Sequence, residues 1–332
     1  MAHSYKIMFL GPSGVGKTTL LASFYKEMIE GALQNSEIVC TNHIEEMRLR
    51  EKMTEVAKVQ EDQIFDYTDN RLKGDQGFSH YPFRITRSDQ DLIEFEVVDH
   101  RGGDIRLNSL NLDARDKLTR ELSEADCILV VIDAAIMMVD EGGQYGSRLN
   151  QYTAISDYIR DRLEKVERPV LIQFLLTKCE RWWRGDARTD VSRGGELLKR
   201  AKQNLRQSLQ FIQHAAQEGK PVVSLITPVL TMNCVEYWRR KPGAELELVF
   251  RRVPHVPYAP EVSQPLFRAL AFCLTGSLEG FNIFTRWFDR KRRAEAQLLV
   301  SELSELSALT HLDEEVIGDQ SLLQLEDRGQ KG

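Results

Sequence analysis

Four apolar residues, Ile7–Leu10, follow Tyr5 and Lys6 and stop at a glycine, so that Tyr5–Leu10 reads as a short buried strand followed by a turn. A helix is expected next, from about Lys17 to Glu30. Residues 42–60 are charged and read as a helical insertion, and residues 61–80 have no period and read as a loop. Tyr81–Arg87 and Leu92–Asp99 read as two strands joined by the turn-forming cluster Ser88-Asp89-Gln90-Asp91. That hairpin is antiparallel and is placed near a sheet edge, where Pro82 is tolerable. Helix and strand then alternate. Asp113–Leu122 is helical and Cys127–Asp133 is a strand. Leu149, Tyr152, Ile155, Ile159, Leu163 and Val166 recur at helical spacing, and Val170–Leu176 is again a strand. Leu198, Ala201, Leu205, Leu209 and Ile212 mark a helix before the strand Val222–Ile226. A last core helix starts near Ser263-Gln264-Pro265, with proline at an early helical position. Such alternation predicts a three-layer α/β sandwich, with a mostly parallel sheet, one antiparallel strand and helices on both faces.

The C-terminal part changes character. Phe284, Trp287 and Phe288 sit among Arg286, Arg290, Lys291, Arg292 and Arg293, and Leu299, Leu303, Leu306 and Leu309 follow at spacings of four and three. Aromatics mixed with arginines suit a membrane-surface helix, but docking on the parent domain or a partner is the preferred reading. Residues 313–332 are acidic and are expected to be solvated. The division is therefore 1–280 for the α/β domain, with 36–80 as an insertion, and 281–332 for a helical and then acidic tail.

Composition narrows the class. The chain has 332 residues, 42% hydrophobic and 28% charged, with a formal charge of −6. A disordered or fibrous chain and a globally basic nucleic-acid binder are both disfavoured. The five cysteines are scattered with no C-x-x-C pair, which points away from a zinc site or disulfide framework and towards a reducing cytoplasm. The N-terminal residues lack a signal-peptide layout, and no stretch of about 18 uncharged apolar residues occurs.

Candidate chemistry starts at Gly11-Pro12-Ser13-Gly14-Val15-Gly16-Lys17-Thr18, which fits G-x-x-x-x-G-K-[ST] with a strand before it and a helix after. Glycines let successive backbone N–H groups converge on a phosphate, and the helix N-terminus adds the positive end of its dipole. Gly11, Ser13, Gly14, Val15, Gly16, Lys17, Thr18 and Thr19 are thus candidate phosphate-binding residues. Lys17 would bridge the β- and γ-phosphates, and the Thr18 hydroxyl would ligate Mg²⁺. Downstream, an apolar strand ends in Asp99-His100-Arg101-Gly102, where Asp99 would hold the same Mg²⁺ and Gly102 would offer its N–H to the γ-phosphate. A third motif, Thr177-Lys178-Cys179-Glu180, follows the strand Val170–Leu176.

In this order the three motifs resemble the Ras-like, translation-factor-related P-loop GTPases, whose guanine motif is [NT]-K-x-D. The resemblance implies GTP and GDP with Mg²⁺ as ligands. It implies that Glu180, in place of the family's Asp, accepts from guanine N1–H and N2–H₂, with the Lys178 stem over the base and Thr177 opening the motif. It also implies that the loop Thr227–Asn233, with Thr231, closes over the base. A switch hydroxyl belongs in the insertion; Ser79 is the first candidate for it, as a third metal ligand, and Thr68 the second. Gly103 stands where Ras-like enzymes carry a water-orienting Gln, so hydrolysis should be slow and served by His100, Arg101, Asp104 or a partner's residue. Asp99-His100-Arg101-Gly102-Gly103, Ile226–Thr231 and the run ending Tyr258-Ala259-Pro260 resemble bacterial conflict-associated GTPases of the double-GTPase type. The implied function is a nucleotide switch in defence or signalling, with an effector or GTPase-activating protein as partner. Three other readings remain: a guanylate-kinase-like phosphotransferase, a P-loop ATPase and a non-catalytic nucleotide-binding module. No arginine-rich lid pattern supports the first, and His100 stands where many ATPases place a catalytic Glu.

Overall fold

A computed structural model describes residues 4–31, 33, 35–61, 64–66, 77–100, 102–105, 112–140, 147, 149–183, 193–230, 235–240, 248–252, 260–279, 290–308 and 315–318. The chain opens with strand β1 (Tyr5–Leu10) and helix α1 (Lys17–Ile29), as the pattern predicts. Strand β2 (Ser36–Cys40) and helix α2 (His43–Glu61) follow, then a short β3 (Ile64–Asp66). The hairpin consists of β4 (Phe78–Arg87) and β5 (Gln90–His100). Its turn residues Ser88 and Asp89 have φ of 50° and 61°, the paired positive values that a two-residue hairpin turn needs.

After a 3₁₀ turn at Gly102–Ile105 come α3 (Leu112–Glu124), β6 (Cys127–Asp133), α4 (Ala134–Val139) and α5 (Tyr152–Glu164). Next are β7 (Val170–Thr177), α6 (Glu180–Trp183), α7 (Gly194–Asn204), α8 (Arg206–Gln217) and β8 (Val222–Val229). The remaining elements are β9 (Val235–Arg240), β10 (Leu248–Arg252), α9 (Gln264–Glu279), α10 (Arg290–Ala308) and β11 (Glu315–Gly318).

Eight strands form the main sheet in the order β11-β8-β7-β6-β1-β5-β4-β2. The junctions from β8 to β5 are parallel. Helices cover both faces, so β6 is buried along its whole length and its side chains alternate between two cores. Ile128, Val130 and Ile132 pack with Leu118, Ile155, Ile159 and Ile212 on one side. Cys127, Leu129 and Val131 pack with Leu20, Phe24, Leu266 and Leu299 on the other.

Two stretches depart from the expected pattern. The expected loop 61–80 contains β3 and the start of β4. β3 pairs with β10, and β10 with β9, in a separate three-stranded antiparallel sheet. The hairpin lies near the sheet edge as expected, with one further strand outside it: β2 pairs antiparallel with β4 from Ser36↔Arg87 to Cys40↔Phe83. That register stops one residue short of Pro82, so its missing N–H is not called on there, and its carbonyl accepts from Thr41 N at 2.9 Å. Finally, Glu315–Gly318 of the acidic end form β11, antiparallel to β8. The apolar pair Val316-Ile317 outweighs the flanking charge here, with Val316 packing against the second core and Ile317 against the first.

The C-terminal helix α10 docks on the parent fold through its leucines. Leu299 and Leu303 are fully buried beside α9. Arg87, at the tip of β4, pairs with Glu302 at 2.6 Å and Glu295 at 3.2 Å on α10. Most of Phe284–Arg293 lies outside the described residues, and no helix among the described residues is long and apolar enough to cross a membrane.

A charged seam ties the hairpin to α3. His80 Nδ1 is 3.2 Å from Glu96, His80 Nε2 is 3.9 Å from Glu121, and Lys6 Nζ donates to Glu121 at 3.0 Å. The hydrogen bond to Glu96 raises the His80 pKa above its ordinary 6.5, and His80 lowers that of Glu96 below 4.5. A raised histidine stabilises fully below its unfolded value and loses that contribution as pH rises through the folded value; the lowered Glu96 contributes above 4.5. The pair is therefore strongest between pH 4.5 and 6.5. His80→Gln is expected to lower the melting temperature more at pH 6 than at pH 8.5, and an equal loss at both would show that this pair carries no proton linkage.

Candidate functional site

The C-terminal ends of β1, β5, β6 and β7 converge on one edge of the sheet. β1 is flanked by β5 on one side and β6 on the other, so connections leave it in opposite directions, the point where open α/β sheets bind ligands. The glycine-rich loop leaves β1 here and enters α1 through Gly16, whose φ of 107° is strained for any residue with a side chain. Lys17 is buried, and its ammonium donates to the carbonyls of Gly11 at 2.6 Å and Pro12 at 2.9 Å. The lysine is thus folded over its own loop, at the mouth of the backbone cradle.

Thr18 and Asp99 meet although they are far apart in sequence. The Thr18 hydroxyl donates to Asp99 Oδ2 at 3.0 Å. Ser79 lies directly opposite Asp99 in the β4–β5 register and is buried, which puts it on the same face of the sheet. A hydroxyl, a carboxylate and a second hydroxyl at one place form an oxygen set suited to Mg²⁺, which takes few protein ligands and completes its shell with phosphate and water. Gly102 packs onto the phosphate loop itself. A Cβ there would stand 2.0 Å from Ser13 N and 2.1 Å from Pro12 C, so only glycine admits this approach.

The third motif is bonded to the first. The single Thr177 O–H donates to Val15 O at 2.6 Å, the nearer of two carbonyls, with Ile132 O 3.1 Å away. Lys178 has a φ of 57°, a left-handed backbone costing about 1–2 kcal/mol for a residue with a Cβ. In that conformation its ammonium donates to Gly14 O at 2.6 Å and pairs with Asp133. Glu180 begins α6 and is 5% exposed. Trp182 stacks on Tyr237 of β9, with ring centroids 5.6 Å apart, and Trp183 is partly buried against the first core. The Lys178 ammonium lies 5.9 Å from the Phe250 ring centroid.

His100 falls elsewhere. It follows Asp99 on a strand and so faces the other side of the sheet. It is buried there with its ring 6.0 Å from that of Phe78. Arg101, Thr231 and Thr68 lie outside the described residues, as does the side chain of Asp104. Sequence reasoning overlooked Asp133 and Asn150. Asp133 ends the buried strand β6 just as Asp99 ends β5, and an acid after six consecutive apolar residues at the ligand edge was the available signal.

The profile of the Double-GTPase 2 family matches residues 6–229, more than half of the chain. The chain belongs to that family. As a P-loop GTPase of the double-GTPase type, it carries its three motifs where the sheet brings them together. No curated protein matches it. Among solved structures it is similar to the signal recognition particle receptor SRb-GTP/SRX complex from Chaetomium thermophilum, at 13% identity and a TM-score of 0.38, covering 72% of this chain and 96% of that one. It is also similar to a mutant of S. thermophilus NFeoB bound to GDP, at 13% identity and a TM-score of 0.27, covering 91% and 87%.

Proposed function

We propose that this double-GTPase-type protein is a guanine-nucleotide switch that binds GTP and GDP with Mg²⁺ and hydrolyses GTP slowly. The observation that carries this reading is the bonding of all three motifs into one site: Lys178 and Thr177 to the phosphate loop, and Thr18 to Asp99. Thr18 and Asp99 would hold Mg²⁺ in either nucleotide state, with Ser79 joining when a γ-phosphate is present. The ion's role there is to neutralise charge on the β- and γ-phosphate oxygens.

Lys17 leaves its loop carbonyls for phosphate oxygens, and Gly102 offers its N–H to the γ-phosphate. Gly103 has no side chain to orient water, and His100 faces away from the Thr18–Asp99 pair. Single-turnover GTP hydrolysis is therefore expected on the order of 10⁻³ s⁻¹ or slower, unless a protein partner supplies a group. Rapid turnover by the isolated chain, or faster turnover of ATP than of GTP, would count against this.

Loss of the γ-phosphate should loosen the turn after β5 and the start of β4. Amides of Gly102–Ile105 and Phe78–Tyr81 are expected to exchange more slowly with a non-hydrolysable GTP analogue than with GDP. Identical exchange in the two states would leave a nucleotide-binding module without a switch.

A further inference from the structure

We propose that Asp133 is a positioning residue for Lys178: it fixes the lysine stem where the base must pack, so that nucleotide affinity depends on a carboxylate that need not touch the nucleotide. This deepens the guanine-site reading above and rests on it. Asp133 is 0% exposed at the end of β6. Each of its carboxylate oxygens has a partner: Oδ1 accepts from Ile136 N at 2.9 Å, capping α4, and Oδ2 pairs with the Lys178 ammonium. Its backbone is clamped as well. Asp133 N donates to Asn150 Oδ1 at 2.9 Å, and Asn150 Nδ2 donates to Asp133 O at 3.1 Å. Asn150 is held in turn by the Tyr152 hydroxyl at 3.0 Å.

A carboxylate taken out of water must be compensated, and Lys178 brings an opposite charge to it. The same ammonium bonds to Gly14 O of the phosphate loop, so the end of the stem is held by two fixed acceptors. A lysine otherwise has large rotamer freedom to lose when a ligand packs on it. Here that freedom is removed before the nucleotide arrives, which raises affinity by preorganisation. Deleting the charge of Asp133 should release one anchor and leave the phosphate contacts intact.

The test is a double-mutant cycle on the full chain with Asp133→Asn and Lys178→Met, read by titration with GDP and by thermal melting. Asn keeps the capping oxygen, and Met keeps most of the stem without the charge. Asp133→Asn is expected to weaken GDP binding about 10-fold, and to weaken it no further once Lys178 is Met. Lys178→Met leaves the buried carboxylate uncompensated, so adding Asp133→Asn should raise the melting temperature without restoring affinity. A merely structural aspartate would not give this split between stability and affinity. Wild-type GDP affinity in Asp133→Asn, or two effects that multiply, would overturn the positioning role while leaving the guanine site standing. Absence of GDP binding by the unmodified protein would overturn both.

Discussion

Lys17→Ala is expected to abolish tight binding of every nucleotide, whatever its base. The ammonium already lies at the phosphate loop, bonded to the Gly11 and Pro12 carbonyls at 2.6 and 2.9 Å. Exchanging those carbonyls for phosphate oxygens trades dipoles for full negative charges. A charge-assisted contact of this kind contributes about 1.5–3 kcal/mol. Each 1.4 kcal/mol is about tenfold in affinity, so the dissociation constant should rise at least ~10-fold and by as much as ~100-fold. Lys17 is buried in the free protein, so the melting temperature should be recorded alongside. Calorimetric titration with GDP and Mg²⁺ measures the effect, and an unchanged dissociation constant in a folded variant would refute a phosphate role for this lysine.

The second large effect concerns the base. Backbone amides bind the phosphates of any nucleotide, so selectivity has to come from Glu180 and its surroundings. A carboxylate there can accept from guanine N1–H and N2–H₂ together. Adenine presents a bare N1 acceptor and no N2–H₂, which would leave a desolvated carboxylate facing a lone pair. Sites that hydrogen-bond a substrate group reject analogues lacking it by about 10⁴-fold. The extra methylene of Glu relative to Asp loosens the geometry, and a guanine preference of roughly 10²-fold is expected. Glu180→Ala should lower GTP affinity and leave the weak ATP affinity unchanged. Parallel titrations with GTP and ATP decide it: equal binding by the unmodified protein would sink the guanine assignment and promote an ATPase.

Much of this architecture was legible in the chain. The strands Tyr5–Leu10 and Cys127–Asp133 fall where their apolar runs predicted them, because strands buried on both faces need no polar alternation. The phosphate loop was readable because its backbone demands glycine at fixed spacing. What escaped notice depends on partners distant in sequence. β3 is three residues long and exists through its pairing with β10, far along the chain. β11 carries too few apolar residues to outweigh its acidic context until β8 is beside it. Asp133 has no motif around it; its importance comes from Lys178 and Asn150 meeting it in three dimensions. His100 is next to Asp99 in sequence, yet neighbours on a strand point to opposite faces.

The placement of β11 also bears on how the chain acquires its structure. β8 is buried along its length, and its outer backbone edge is covered by a strand that begins 86 residues after β8 ends. During synthesis at roughly 5–20 residues per second, everything from β1 to β8 can assemble while that edge still awaits its cover. The interval lasts at least several seconds, and an uncovered apolar strand edge is a template for pairing with other chains. A nascent double-GTPase of this type is therefore most exposed to misassociation late in translation, when its nucleotide site is already encoded in full. Nucleotide bound at that stage would hold β1, β6 and β7 in register before the last strand closes the sheet.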